Sequence, residues 1–61
     1  MTPKQANKLI GQVVRLVTVH DETIDIRIVS SDLRVVYGQD PATGRDMAIS
    51  RRDIASWQVA P

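Results

Sequence analysis

The residue types of a nucleophile, base and acid all occur in this chain. His20 is followed by Asp21, and serines stand at Ser30, Ser31 and Ser50. A triad needs those three groups within hydrogen-bond reach, together with donors for an oxyanion. A chain of 61 residues has little room for a cleft that supplies them. His20 is therefore read as an exposed turn residue and the chain as not an enzyme, with no catalytic residues. Asp21, Glu22 and Asp25 form an acidic cluster. A hard cation wants about six oxygens on a shaped loop, and strand alternation turns Asp25 away from one. Neither a metal nor another cofactor is expected. The cluster reads as a solvated edge whose charge discourages edge-to-edge pairing.

The cations carry more. Lys and Arg number 8 against 7 Asp and Glu, for a net charge of +1, which is not the basic excess of a protein that wraps duplex nucleic acid. Most of the cations are arginines, suited to bidentate recognition of phosphate or carboxylate. Arg15, Arg27 and Arg34 fall on three consecutive predicted strands, with Asp25 and Asp32 close enough in sequence to pair with them. That group reads as cross-strand ion pairs. Arg45, Arg51 and Arg52, with Lys4 and Lys8, are opposed locally only by Asp46 and Asp53. These five cations are the nucleic-acid-binding candidates. Tyr37, beside the loop 38–44, is the ring available for base stacking. Trp57 alternates with Ala55 and Val59 and reads as core or interface.

The core inventory is aliphatic and β-branched, with eight Val, six Ile and three Leu and no Phe, which favours strands. With no cysteine, neither disulfides nor a cysteine zinc site can brace the fold. Efficient packing or association must do so. Apolar runs are too short for a membrane span or a signal-peptide core, so a cytoplasmic protein without membrane contact is expected, and the start at Met1 fits a complete small protein.

The elements that must position these residues follow from capping and alternation. Thr2, Pro3 and Gln5 form a helix start with a capping box, and Gly11 is a stop, predicting a helix over about 3–10 that docks Ala6, Leu9 and Ile10. Strands are predicted over about 12–19, 23–29, 33–37, 45–50 and 55–59. In the second strand Ile24, Ile26 and Ile28 point inward. In the third, Leu33, Val35 and Tyr37 oppose Arg34 and Val36. Met47 and Ile49 point inward from the fourth. Residues 51–54 suit one turn of 3₁₀ helix. The first strand is apolar on both faces. Val14, Leu16 and Val36 are left opposite the expected core and become the interface candidates for a protein partner.

One domain over 1–61 is expected: mainly β, a small five-stranded antiparallel barrel with a short N-terminal helix. The stretches Leu9-Ile10-Gly11-Gln12-Val13-Val14, Ile24-Asp25-Ile26-Arg27-Ile28 and Ser50-Arg51-Arg52-Asp53-Ile54-Ala55-Ser56-Trp57 resemble the Sm-like family of SH3-like barrels. The resemblance implies a short helix followed by five strongly bent strands, and a role in RNA binding. The expected function is a small regulatory module that binds RNA or DNA through its arginine patch. The alternative is an interaction or assembly adaptor that uses the apolar surface or a strand edge. The partners are nucleic acid or protein, with a homo-oligomer as open as a monomer.

Overall fold

A computed structural model describes residues 1–60. Helix α1 spans Pro3–Lys8. Its capping box is complete: the Gln5 N–H donates to Thr2 Oγ1 at 3.1 Å and the Thr2 N–H donates to Gln5 Oε1 at 2.8 Å. Gly11 follows with φ at +88°, a backbone state that glycine adopts without strain. Its N–H donates to the Ile28 carbonyl at 2.7 Å and turns the chain into the sheet.

Strands β1 (Val13–Thr18), β2 (Thr23–Ser31), β3 (Val35–Gln39), β4 (Asp46–Ser50) and β5 (Ile54–Val59) are all antiparallel to their neighbours, with a 3₁₀ turn at Arg51–Asp53 between the last two. Their order across the sheet is β4-β3-β2-β1-β5. The chain is mainly β, as the alternation of its apolar residues requires. The sheet is open rather than closed into a barrel: β4 and β5 are its two edges and share no ladder. It is nevertheless strongly curled. A flat five-stranded sheet would hold its edge strands about 19 Å apart. Here a three-residue turn links the end of β4 to the start of β5, a reach of at most about 14 Å.

The core lies inside that curl. Val14, Leu16, Ile26, Ile28 and Val36 have no exposure, and Leu9 and Ile49 are nearly as buried. Ile24, Met47, Ile54 and Trp57 pack against them. The interface assignment of Val14, Leu16 and Val36 is therefore corrected: all three are core. Directly opposed residues share a face of an antiparallel pair. Val14 lies opposite Ile26 and Val59, and Leu16 opposite Ile24 and Trp57. The isoleucine stripe of β2 thus takes Val14 and Leu16 inward, leaving Val17 opposite Thr23 and Ser56, and Val13 opposite Arg27, on the outer face.

The third strand is corrected for a different reason. Asp32 Oδ1 accepts the N–H groups of Arg34 at 2.8 Å and Val35 at 2.7 Å, and the Asp32 N–H donates to the Val35 carbonyl at 3.0 Å. These bonds commit 32–34 to a turn and leave Leu33 78% exposed. Pairing resumes two residues later than the alternation suggests. The β2–β3 register, irregular between Ile28 and Ser30, sets Gly38 opposite the inward Ile28; this places Val36 and Gly38 inside and leaves Tyr37 on the outer face opposite Ala48. Gly38 is part of β3, not of the loop after it. A Cβ there would overlap the Arg27 carbonyl oxygen and come within 2.6 Å of Ile26 Cγ1, so the curl at this point requires glycine. The helix also differs: it ends at Lys8, burying Ala6 and Leu9 but leaving Ile10 half exposed.

Candidate anion-binding groove

The β2–β3 turn and the end of β4 form one side of the molecule. Between them lies a groove of about 570 Å³ lined by Leu33, Arg34, Ser50, Arg51 and Arg52. Backbone bonding sets its walls. Val35 pairs with Ser50 at the close of the β3–β4 ladder, and the Arg51 N–H donates to the Arg34 carbonyl at 2.8 Å.

Arg51 is the brace of this arrangement. Its guanidinium donates from Nε to the Leu33 carbonyl at 3.2 Å, from Nη1 to the Met1 carbonyl at 2.9 Å, and from Nη2 to the Asp32 carbonyl. One side chain thus joins the N-terminal segment, the β2–β3 turn and the 3₁₀ turn. The planar fork of arginine makes this possible, and a lysine ammonium would not reproduce it. Arg34 and Arg52 are exposed. Among the described residues, neither forms a side-chain hydrogen bond or an ion pair with another.

Asp32 belongs to the turn that walls the groove, and its oxygens are engaged. Oδ1 takes the two turn N–H groups, and Oδ2 accepts the Tyr37 hydroxyl at 3.3 Å. The N–H groups of Arg34 and Val35 hold the Asp32 carboxyl below its ordinary pKa, aided by the Tyr37 hydroxyl and the charge of Arg51. The same bond ties Tyr37, 40% exposed, to the turn that walls the groove.

The candidate cations are thus not one patch. Arg51 and Arg52 meet in the groove, with Tyr37 beside it. Arg45 lies at the far end of the β3–β4 hairpin: the Gln39–Asp46 pair stands four residues from the Val35–Ser50 pair, about 13 Å along the strands. Lys4 and Lys8 are exposed on α1 and do not line the groove.

Of the expected ion pairs, one forms. Arg15 meets Asp25 with Nε–Oδ1 at 2.9 Å and Nη2–Oδ2 at 3.2 Å. The bond from Arg15 lowers the Asp25 pKa, and the bond to Asp25 raises that of Arg15. Asp25 is therefore not part of a free acidic edge. Arg27 instead donates to the Gly11 carbonyl at 3.1 Å. Arg34, assigned to that strand group by its sequence, belongs to the turn and to the groove. The signal that could have found it is Asp32-Leu33-Arg34 itself, because an aspartate that bonds N–H groups two and three residues on marks a turn. Nothing local in the sequence marks the reach of Arg51 to three carbonyls.

His20 is exposed in the β1–β2 turn. That turn is held by Thr18, whose buried Oγ1 accepts the N–H groups of His20 and Glu22, each at 3.2 Å. Trp57 is half-buried against the core, with one edge at a smaller groove shared with Arg15, Val17, Thr23, Ser56 and Gln58. No helix among the described residues is long and apolar enough to cross a membrane. The chain matches no family model, and neither a curated protein nor a solved structure matches it.

Proposed function

We propose that this protein is a small non-enzymatic binding module that engages the phosphates of RNA or DNA at the groove between the β2–β3 turn and the 3₁₀ turn, in a regulatory role. The observation that carries this reading is the groove itself: three arginines converge, and two of them keep guanidiniums with no side-chain partner among the described residues. Such groups favour phosphate oxygens through charge-assisted, bidentate bonds. Tyr37, tethered beside the same turn, offers a face for a base. The finer likeness to Sm-like or SH3-like barrels belongs to the same proposal. It rests on the order of a short helix followed by five antiparallel strands in a curled sheet.

The test is fluorescence anisotropy with a labelled single strand at low salt. The double variant Arg34→Glu/Arg52→Glu is expected to lose binding, while Arg45→Glu retains it. Binding that survives the double charge reversal refutes the reading.

A second reading has its own observation. The edge strand β5, Ile-Ala-Ser-Trp-Gln-Val, carries no charge and no proline, the devices that usually blunt an edge. A protein partner adding an extended strand to β5 would make the chain an assembly adaptor. That binding would persist in high salt and fail in Ser56→Pro, and the loss of Val14, Leu16 and Val36 as surface residues confines the adaptor reading to this edge.

A further inference from the structure

We infer that the groove is a two-phosphate site, with Arg34 and Arg52 as the contacting cations and Arg51 as a positioning residue that touches no phosphate. This rests on the nucleic-acid reading above and gives that reading a footprint.

Three observations limit the site. First, Arg51 spends its guanidinium on the carbonyls of Met1, Asp32 and Leu33. Turning it toward a ligand would free three acceptors and loosen the turn that carries Arg34. Second, no other side-chain cation among the described residues lines the groove. Arg45 is at the opposite end of its hairpin, Arg27 is bonded to Gly11 and Arg15 to Asp25, and Lys4 and Lys8 are on the helix, outside the groove. Third, the groove has a volume of about 570 Å³, within the range that holds one small ligand. The exposed Leu33 side chain and Ser50 complete the lining. Leu33 offers no hydrogen bond and Ser50 a single hydroxyl, so the site is assigned to backbone phosphates through the Arg34 and Arg52 guanidiniums.

The number of phosphates is read from salt dependence. For a single strand, the slope of log affinity against log salt is about −0.7 per phosphate neutralised. Two contacts give a slope of about −1.4, or about a sevenfold loss of affinity between roughly 50 and 200 mM salt. The experiment measures that slope by anisotropy for a labelled tetranucleotide and a labelled dodecanucleotide. The native protein and the variants Arg34→Gln, Arg52→Gln and Arg45→Gln are compared, with circular dichroism and Trp57 emission verifying that each is folded.

Both strands are expected to give the same slope, near −1.4. Arg34→Gln and Arg52→Gln should each halve it, to about a 2.6-fold loss over the same salt range, and Arg45→Gln should leave it unchanged. A slope of about −2.1 or steeper, a slope that steepens with strand length, or a change on Arg45→Gln overturns the two-phosphate site while leaving nucleic-acid binding standing. Unchanged slopes in Arg34→Gln or Arg52→Gln overturn it equally. If neither strand binds, the nucleic-acid reading itself fails and the footprint with it.

Discussion

Arg15 and Leu16 are neighbours on β1 and face opposite sides of the sheet. Leu16 has no exposure and stands between Ile24 and Trp57. Arg15 reaches across to Asp25 on the outer face, where both side chains remain about two-fifths exposed, at 45% and 39%. The inner face works by removing apolar surface from water, and its central residues Val14, Leu16, Ile26, Ile28 and Val36 are fully covered by protein. The outer face works by geometry: an exposed pair gains little because water and salt screen it. Arg51 shows when an outer polar group does count. Its donors satisfy three backbone carbonyls from separate segments, so its removal uncouples structure as well as charge.

The largest expected effect is on the inner face. Truncating a buried leucine costs about 2–5 kcal/mol, and a core of this size provides roughly 3–5 kcal/mol in all. Leu16→Ala should therefore be largely unfolded at room temperature by urea titration followed through Trp57 emission. A variant that stays folded would mean that Leu16 is not the centre of the core. Gly38→Ala comes next. The added methyl is forced onto Ile26 and the Arg27 carbonyl, and overpacking costs about 1–3 kcal/mol, with the upper end expected because one of the opposing atoms is backbone. Insertion of the methyl without loss of stability would show that the sheet can uncurl at β3.

Arg51→Ala tests whether an outer side chain can approach that scale. Hydrogen bonds from a charged group are worth about 1.5–3 kcal/mol, and partial exposure of Arg51 places the expected loss near the lower bound. The same variant should speed hydrogen exchange at Arg34 and Val35, whose N–H groups hold the turn. Arg15→Ala is the smallest: the urea midpoint should match the native one within error. An Arg15→Ala loss as large as that of Arg51→Ala would erase the distinction between a pair and a brace.

Acid sharpens the comparison further. Asp25 and Asp32 both have carboxyls held below the ordinary value in the folded chain, the first by Arg15 and the second by the turn N–H groups. The unfolded chain binds more protons than the folded one as pH drops through the ordinary carboxylate range. The stability contributed by these groups is therefore complete above about pH 5 and is lost as pH falls toward their folded pKa values. Thermal melts between neutral pH and about pH 3 should show this loss. Asp32→Asn should flatten the acid dependence more than Asp25→Asn does, since Asp32 organises a turn and Asp25 only pairs on the surface. Equal flattening would make the two carboxylates equivalent.

The sequence by itself determined the element types, because their signals are local. A capping box, a glycine past the helix and the alternation Ile24, Ile26, Ile28 act over two to four residues, and each sits where the structure has it. So do the inward Met47 and Ile49 and the 3₁₀ turn before β5. Tertiary structure alone decided what depends on partners. A strand apolar on both faces has no local preference, so only the ladder with Ile24 and Ile26 could bury Val14 and Leu16. Alternation through Leu33 was overridden by the side chain of Asp32, and the irregular β2–β3 register after Ile28 decides which face each β3 residue takes, with Val36 in the core and Tyr37 outside. The basic residues followed the same rule. Arg34 and Arg51 are distant in sequence but bonded through backbone, whereas Arg45 is near Arg51 in sequence but lies a hairpin length away. Charge spacing along a chain cannot foretell which turn of a curled sheet will meet which.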